Sequence, residues 1–126
     1  MILIIGGAHQ GKLEFAINRF SGKEVYHCGL DCLDPKGTDG IIDSIHLLIL
    51  AQMRAGIDPE DYFTTAIESG NLSDSILICD DISSGVVPID REMRLWRDTT
   101  GRIMGMLSKH ADQVFRLFCG IESQIK

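Results

Sequence analysis

At 126 residues, 44% of them hydrophobic and 24% charged, the chain is long enough for one cored domain spanning 1–126 and too short for two. A net charge of −6 sets it against nucleic acid and anionic lipid, so neither a nucleic-acid nor a membrane partner is expected. A nucleotide is still admitted, because a few backbone amides and one lysine suffice to hold its phosphates.

No stretch of the sequence is long and apolar enough to span a membrane. The opening Met1–Ile5 is apolar but carries no basic leader and runs straight into glycines. It reads as a buried first strand rather than a secretory signal, and a cytoplasmic location is expected. The cysteines Cys28, Cys32, Cys79 and Cys119 match no zinc or disulfide framework. Cys79 and Cys119 close apolar runs, where a free cysteine usually serves as a small buried hydrophobe.

In chain order, residues 2–5 predict a short strand buried on both faces. A helix follows from about Lys12, with Leu13, Ala16, Ile17 and Phe20 at helical spacing, and Ser21-Gly22 ends it. Glu24–Cys28 predicts a second strand, and residues 29–38, rich in breakers, a loop. From Asp39 an apolar helix is predicted through Ile41, Ile42, Ile45, Leu48, Ile49 and Met53, with Gly56 just past its end. Its broad apolar surface suggests a subunit interface.

Asp58 as N-cap and Pro59 as first residue open the next helix, which Gly70 closes. Ile76–Cys79 predicts a third strand leading into Asp80-Asp81. After the loop Gly85-Val86-Val87-Pro88, a long helix runs from about Asp90 to His110, with Leu95, Trp96, Ile103 and Leu107 turned inward. Val114–Cys119 is read as the last strand and Gly120–Lys126 as a tail. The alternation predicts a three-layer α/β fold of the P-loop NTPase kind: a mostly parallel sheet, reduced in strand number, with helices on both faces.

Gly6-Gly7-Ala8-His9-Gln10-Gly11-Lys12 fits G-x-x-x-x-G-K between a strand and a helix. Glycines let successive N–H groups turn inward around a phosphate, the helix start adds positive potential, and Lys12 reaches the β/γ-phosphates. ATP or GTP is the expected ligand. The next position, which usually gives Mg²⁺ a hydroxyl, is Leu13. Mg²⁺ is therefore expected at Asp80 and Asp81, where a strand ends beside the loop, with Lys12 as the cation on the phosphates. Arg91, Arg94, Arg97 and Arg102 recur at helical spacings on the long helix, as candidates to clamp phosphate or a neighbouring subunit. His27, Cys28 and Cys32 lack the second half of a four-ligand metal site.

The segment Ile4-Ile5-Gly6-Gly7-Ala8-x-x-Gly11-Lys12 resembles the opening of the bifunctional cobinamide kinase/cobinamide-phosphate guanylyltransferase family. A longer series is similar to that family's ending: Gly85–Pro88, Arg91, Arg94, Arg97-Asp98, Gly101-Arg102, Ala111-Asp112, Val114, Gly120 and Ile125-Lys126. The resemblance implies a P-loop α/β protein that forms a homo-oligomeric ring, phosphorylates adenosylcobinamide and transfers GMP to the product through a guanylylated histidine. It implies a nucleoside triphosphate bound at Gly6–Lys12, singles out Arg91 and Arg94 among the arginines of the long helix, and adds a corrinoid as the substrate. The family's histidine segment has no counterpart. His46, which falls near it, is followed by Leu47–Leu50 and reads as a core histidine. The family's additional strand with an acidic residue is expected to be missing, and Asp81 matches the family's Glu, which makes Lys12 and Asp81 the expected catalytic pair. Cobinamide kinase is the activity expected to survive. The competing reading is a non-catalytic nucleotide-binding or structural oligomeric paralogue.

Overall fold

The structure is a computed structural model that describes residues 1–35, 39–83 and 89–126. The expected Gly85–Pro88 loop lies outside the described residues, as do Lys36, Gly37 and Thr38 of the breaker-rich loop. The elements in order are β1 (Ile2–Gly6), α1 (Lys12–Arg19), β2 (Val25–His27), β3 (Ile41–Asp43), α2 (Ile45–Arg54), α3 (Pro59–Glu68), β4 (Ile76–Asp80), α4 (Arg91–His110), β5 (Gln113–Phe118) and β6 (Ile121–Gln124). The six strands among the described residues join one sheet in the order β2-β3-β4-β1-β5-β6. Every pairing is parallel except that of β5 with β6.

Strand alternation divides the core into two sets. Leu3, Ile42, Leu77, Cys79 and Val114 point to one face, where they pack with Ile45, Leu48, Ile49, Phe63, Ile103 and Leu107 of α2, α3 and α4. Ile4, Ile41, Ile76, Ile78, Phe115 and Leu117 point to the other, against Ala16 and the partly covered Leu13, Phe15 and Phe20 around α1. Among the described residues α2, α3 and α4 therefore cover one face and α1 the other. Both faces of β1 and β4 are apolar because both are covered, which is why these strands read as unbroken hydrophobic runs.

The helix punctuation holds at α3, where the Asp58 carboxylate accepts from the Glu60 N–H at 3.0 Å and Pro59 opens the helix. Gly56 and Gly70 both take the positive φ of 77° suited to glycine after a helix.

Several expectations are corrected. The helix expected from Asp39 is two elements: Ile41–Asp43 is β3, and α2 starts only at Ile45. Ser44 parts them with a left-handed backbone, φ 66°. The apolar surface of α2 is covered by its own chain, with Ile45, Leu48, Ile49, Leu50 and Ala51 all buried, so it offers no broad face to another subunit. The C-terminal tail forms β6, whose residues are all exposed along the sheet edge. Cys119 is exposed rather than buried. Ile17 and Leu95 also lie outward, at 45% and 47% exposure.

β3 enters the sheet through Gly40, pressed against β2. A Cβ there would meet Glu24 O at 2.6 Å and Tyr26 Cε2 at 2.7 Å. Gly40→Ala is therefore expected to cost about 1–3 kcal/mol of stability, measured by urea unfolding. An unchanged midpoint would contradict this packing of β2 on β3.

Candidate functional site

The site forms at the carboxyl ends of the parallel strands, where an open α/β sheet leaves its crevice. β1 ends at Gly6, and the chain turns through Gly7–Gly11 into α1. Gly11 takes φ 87° as the residue before the helix and His9 takes φ 58°. The loop is anchored to the turn after β5 through Gln10. Its side-chain oxygen accepts from the Cys119 N–H at 2.5 Å, and its carbonyl accepts from the Gly120 N–H at 3.0 Å. The amides of the loop and of the first turn of α1 are the expected anion donors.

Lys12 is only 6% exposed. Its Nζ donates to Gly7 O at 2.5 Å and lies 2.8 Å from Asp80 Oδ1. A buried ammonium in this position folds back across its own loop and is neutralised by the acid at the end of β4. Register sets the pair up, because Gly6 on β1 faces Asp80 on β4.

Asp80 has a second neighbour in His46, at the start of α2. The His46 Nδ1 accepts from the Asp80 N–H at 3.3 Å, and its Nε2 lies 3.6 Å from Asp80 Oδ2. The Trp96 indole N–H donates to His46 O at 2.7 Å and fixes the helix start from α4. Burial lowers the His46 pKa below its ordinary value, partly offset by the charge of Asp80. His46 is 7% exposed, as a core histidine should be. Beside it the Cys79 thiol is buried, and desolvation pushes its pKa up to about 12.

A cavity of about 310 Å³ opens over this arrangement, lined by Ala8 to Glu14, Asp43, Ser44 and Asp80. The structure thus brings Ala8, His9, Gln10, Gly11, Lys12 and Asp80 together, with Gly6 and Gly7 at the base of the same loop. Asp81 sits differently. Its N–H donates to Gly6 O at 2.8 Å, while its Oδ1 accepts from the Ser83 N–H at 3.0 Å and the Ser83 hydroxyl at 2.7 Å. Its neighbours are Ile82, Ser83 and Thr100 in a second, smaller recess. Arg91 and Arg94 are exposed on the first turn of α4, with Arg94 donating to Ile89 O, and neither lines the loop cavity.

Two cavity residues went unnoticed in the sequence, Asp43 and Ser44. The signal was present: Ile41-Ile42-Asp43 after Gly40 repeats, in short form, the pattern of an apolar run closing on an acid seen at Ile76–Asp80. β3, a strand that ends on an acid, stands where the sequence suggested the start of a helix. Among the described residues no group of three or more His, Cys, Asp or Glu side chains is arranged to hold a metal ion. One carboxylate beside a phosphate site is nevertheless compatible with Mg²⁺, which commonly takes most of its ligands from phosphate and water. No helix among the described residues is long and apolar enough to cross a membrane.

A glycine loop between the central strand and the first helix, with its lysine at an acid closing the neighbouring strand, defines an α/β fold of the P-loop NTPase kind. The family model for cobinamide kinase/cobinamide phosphate guanyltransferase matches residues 30–125. The chain belongs to this family, and with it to the nucleotide-using proteins of cobalamin biosynthesis. The match begins after the glycine loop, so the loop and the family model are independent observations. A search of curated proteins finds no match to the chain.

The Lys12–Asp80 pair gives this site a stability signature. Asp80→Ala leaves a buried ammonium without its carboxylate, at an expected cost near the lower end of roughly 3–5 kcal/mol, since Asp80 is partly solvated. The double variant Lys12→Ala/Asp80→Ala is expected to lose less than the sum of the two single changes in urea unfolding. Strict additivity would show that the pair is not coupled.

Proposed function

We propose that the chain is a single nucleotide-binding domain of the cobinamide kinase/guanylyltransferase family. Its retained chemistry is phosphoryl transfer from a nucleoside triphosphate, ATP or GTP, to the hydroxyl of a corrinoid, adenosylcobinamide. The observation that carries the reading is Lys12, buried in a glycine loop and held 2.8 Å from a carboxylate that a bound phosphate can replace. Gly6–Gly11 amides would cradle the phosphates, and Lys12 would exchange Asp80 for the β/γ-phosphate oxygens. Asp80, thus released, is the residue best placed to hold Mg²⁺ directly or through water, and Asp81 stands next to it. The metal would supply charge neutralisation on the phosphates, with Leu13 contributing no ligand. Arg91 and Arg94 do not line the loop cavity and take no part in this scheme. Transfer of this kind needs positioning and charge stabilisation and no covalent residue.

GMP transfer is the less supported half of the family's chemistry. The histidine segment has no counterpart, and both ring nitrogens of His46 are turned to Asp80. Homo-oligomer formation belongs to the same proposal. Exposed Phe118, Ile121 and Ile125 beside the edge strand β6 supply apolar surface for it. Leu13 favours the second reading, a non-catalytic nucleotide-binding paralogue.

Titration calorimetry with ATP and GTP, with and without Mg²⁺, tests the reading. Lys12→Ala is expected to weaken binding roughly 10- to 100-fold, the value of a charge-assisted hydrogen bond or two. Absence of binding by the unaltered protein, or affinity indifferent to Lys12, would leave the loop as architecture only.

A further inference from the structure

Across the sheet the functional groups follow one another strand by strand. The glycine loop leaves β1, Asp80 closes β4, Asp43 closes β3 and His27 closes β2. Neighbouring strands are about 4.8 Å apart, so the row extends from the loop along the mouth of the crevice. Lys12, whose role in such loops is to hold the β/γ-phosphates, is already turned toward β4. The reacting phosphoryl group therefore belongs at the β4 end, and the next group outward is Asp43.

Asp43 is not an isolated acid. It is the register partner of His27, and His27 Nδ1 lies 3.0 Å from Asp43 Oδ2. The Asp43 side chain is mostly covered at 18% exposure, while His27 is 64% exposed. Asp43 and Ser44 line the same cavity as Lys12 and Asp80. The left-handed backbone at Ser44 makes this placement possible. It breaks the chain between β3 and α2, and the Ser44 side chain does not cap the helix.

We propose that Asp43 is the general base for the phosphoryl acceptor, an alcohol hydroxyl, and that His27 is its positioning partner. The inference rests on the kinase reading above and extends it to the acceptor side. The acceptor O–H gives its proton to the Asp43 carboxylate as its oxygen forms a bond to the γ-phosphorus. The bond from that phosphorus to the β–γ bridging oxygen breaks, and the nucleoside diphosphate leaves with the electron pair. His27 donates its Nδ1–H to Oδ2, which fixes the rotation of the carboxylate and leaves Oδ1 for the acceptor.

The test uses the full chain with ATP or GTP, Mg²⁺ and adenosylcobinamide as acceptor, alongside Asp43→Asn, His27→Ala and His27→Gln. Asp43→Asn is close to isosteric, and calorimetric nucleotide affinity reports that the fold and loop are intact. The expected result is a fall in kcat of about 10²-fold or more for Asp43→Asn, with nucleotide Kd and KM unchanged. His27→Ala should show a smaller fall in kcat, partly restored in His27→Gln, whose amide still donates to Asp43. Unaltered kcat in Asp43→Asn would overturn the proposal. So would an equal loss of nucleotide affinity, which would make Asp43 part of the phosphate site. Unaltered protein that binds nucleotide through Lys12 yet phosphorylates no acceptor would overturn the proposal and leave nucleotide binding standing. Protein that binds no nucleotide would remove the parent reading as well.

Discussion

Lys12 carries a charge into a place where a charge is costly, and the arrangement around it follows from that constraint. With 6% exposure, the ammonium must be met by oxygen from the protein or from a ligand. Gly7 O and Asp80 Oδ1 meet it here. That requirement fixes the loop against the end of β4. His46, with Trp96 behind it, then holds Asp80 from the other side. A phosphate entering the loop offers Lys12 more negative charge than one carboxylate does, so the pair is suited to exchange partners rather than to lock permanently.

Much of the fold was legible because its signals are strong. β1, β4 and α4 announce themselves through unbroken aliphatic runs and a long amphipathic pattern, and α3 through its Asp-Pro opening. β3 was not legible. Ile41 and Ile42 stand at helical spacing from Ile45, Leu48 and Ile49, so a three-residue strand imitates the first turn of the helix behind it. The break is a left-handed serine, a conformation that the residue type does not advertise. β6 escaped for the opposite reason: it is exposed along its length and held by edge pairing with β5, so no apolar alternation marks it.

The site divides in the same way. The glycine loop and its lysine can be read from seven residues because backbone geometry demands those types in that order. Which of Asp80 and Asp81 meets the lysine depends on strand register, and two adjacent acids carry no information about that. Asp43 was hidden together with its strand. His27 drew attention only as a neighbour of Cys28, and its partner sixteen residues away appears only once β2 and β3 are paired. Between β2 and β3 the described residues hold no helix to bridge the two strands. The sheet is nevertheless continuous across this gap, and β3 still delivers an acid to the crevice.

The central claim is that the Lys12–Asp80 pair is the closed state of a phosphate site. The most direct measurement is a crystal structure of the protein with Mg²⁺ and a non-hydrolysable ATP analogue. The account expects phosphate oxygens within the Gly6–Lys12 loop, Lys12 Nζ on the β/γ-phosphates, and Asp80 turned toward the metal. Nucleotide bound elsewhere, or Lys12 still paired with Asp80 beside an occupied loop, would contradict it.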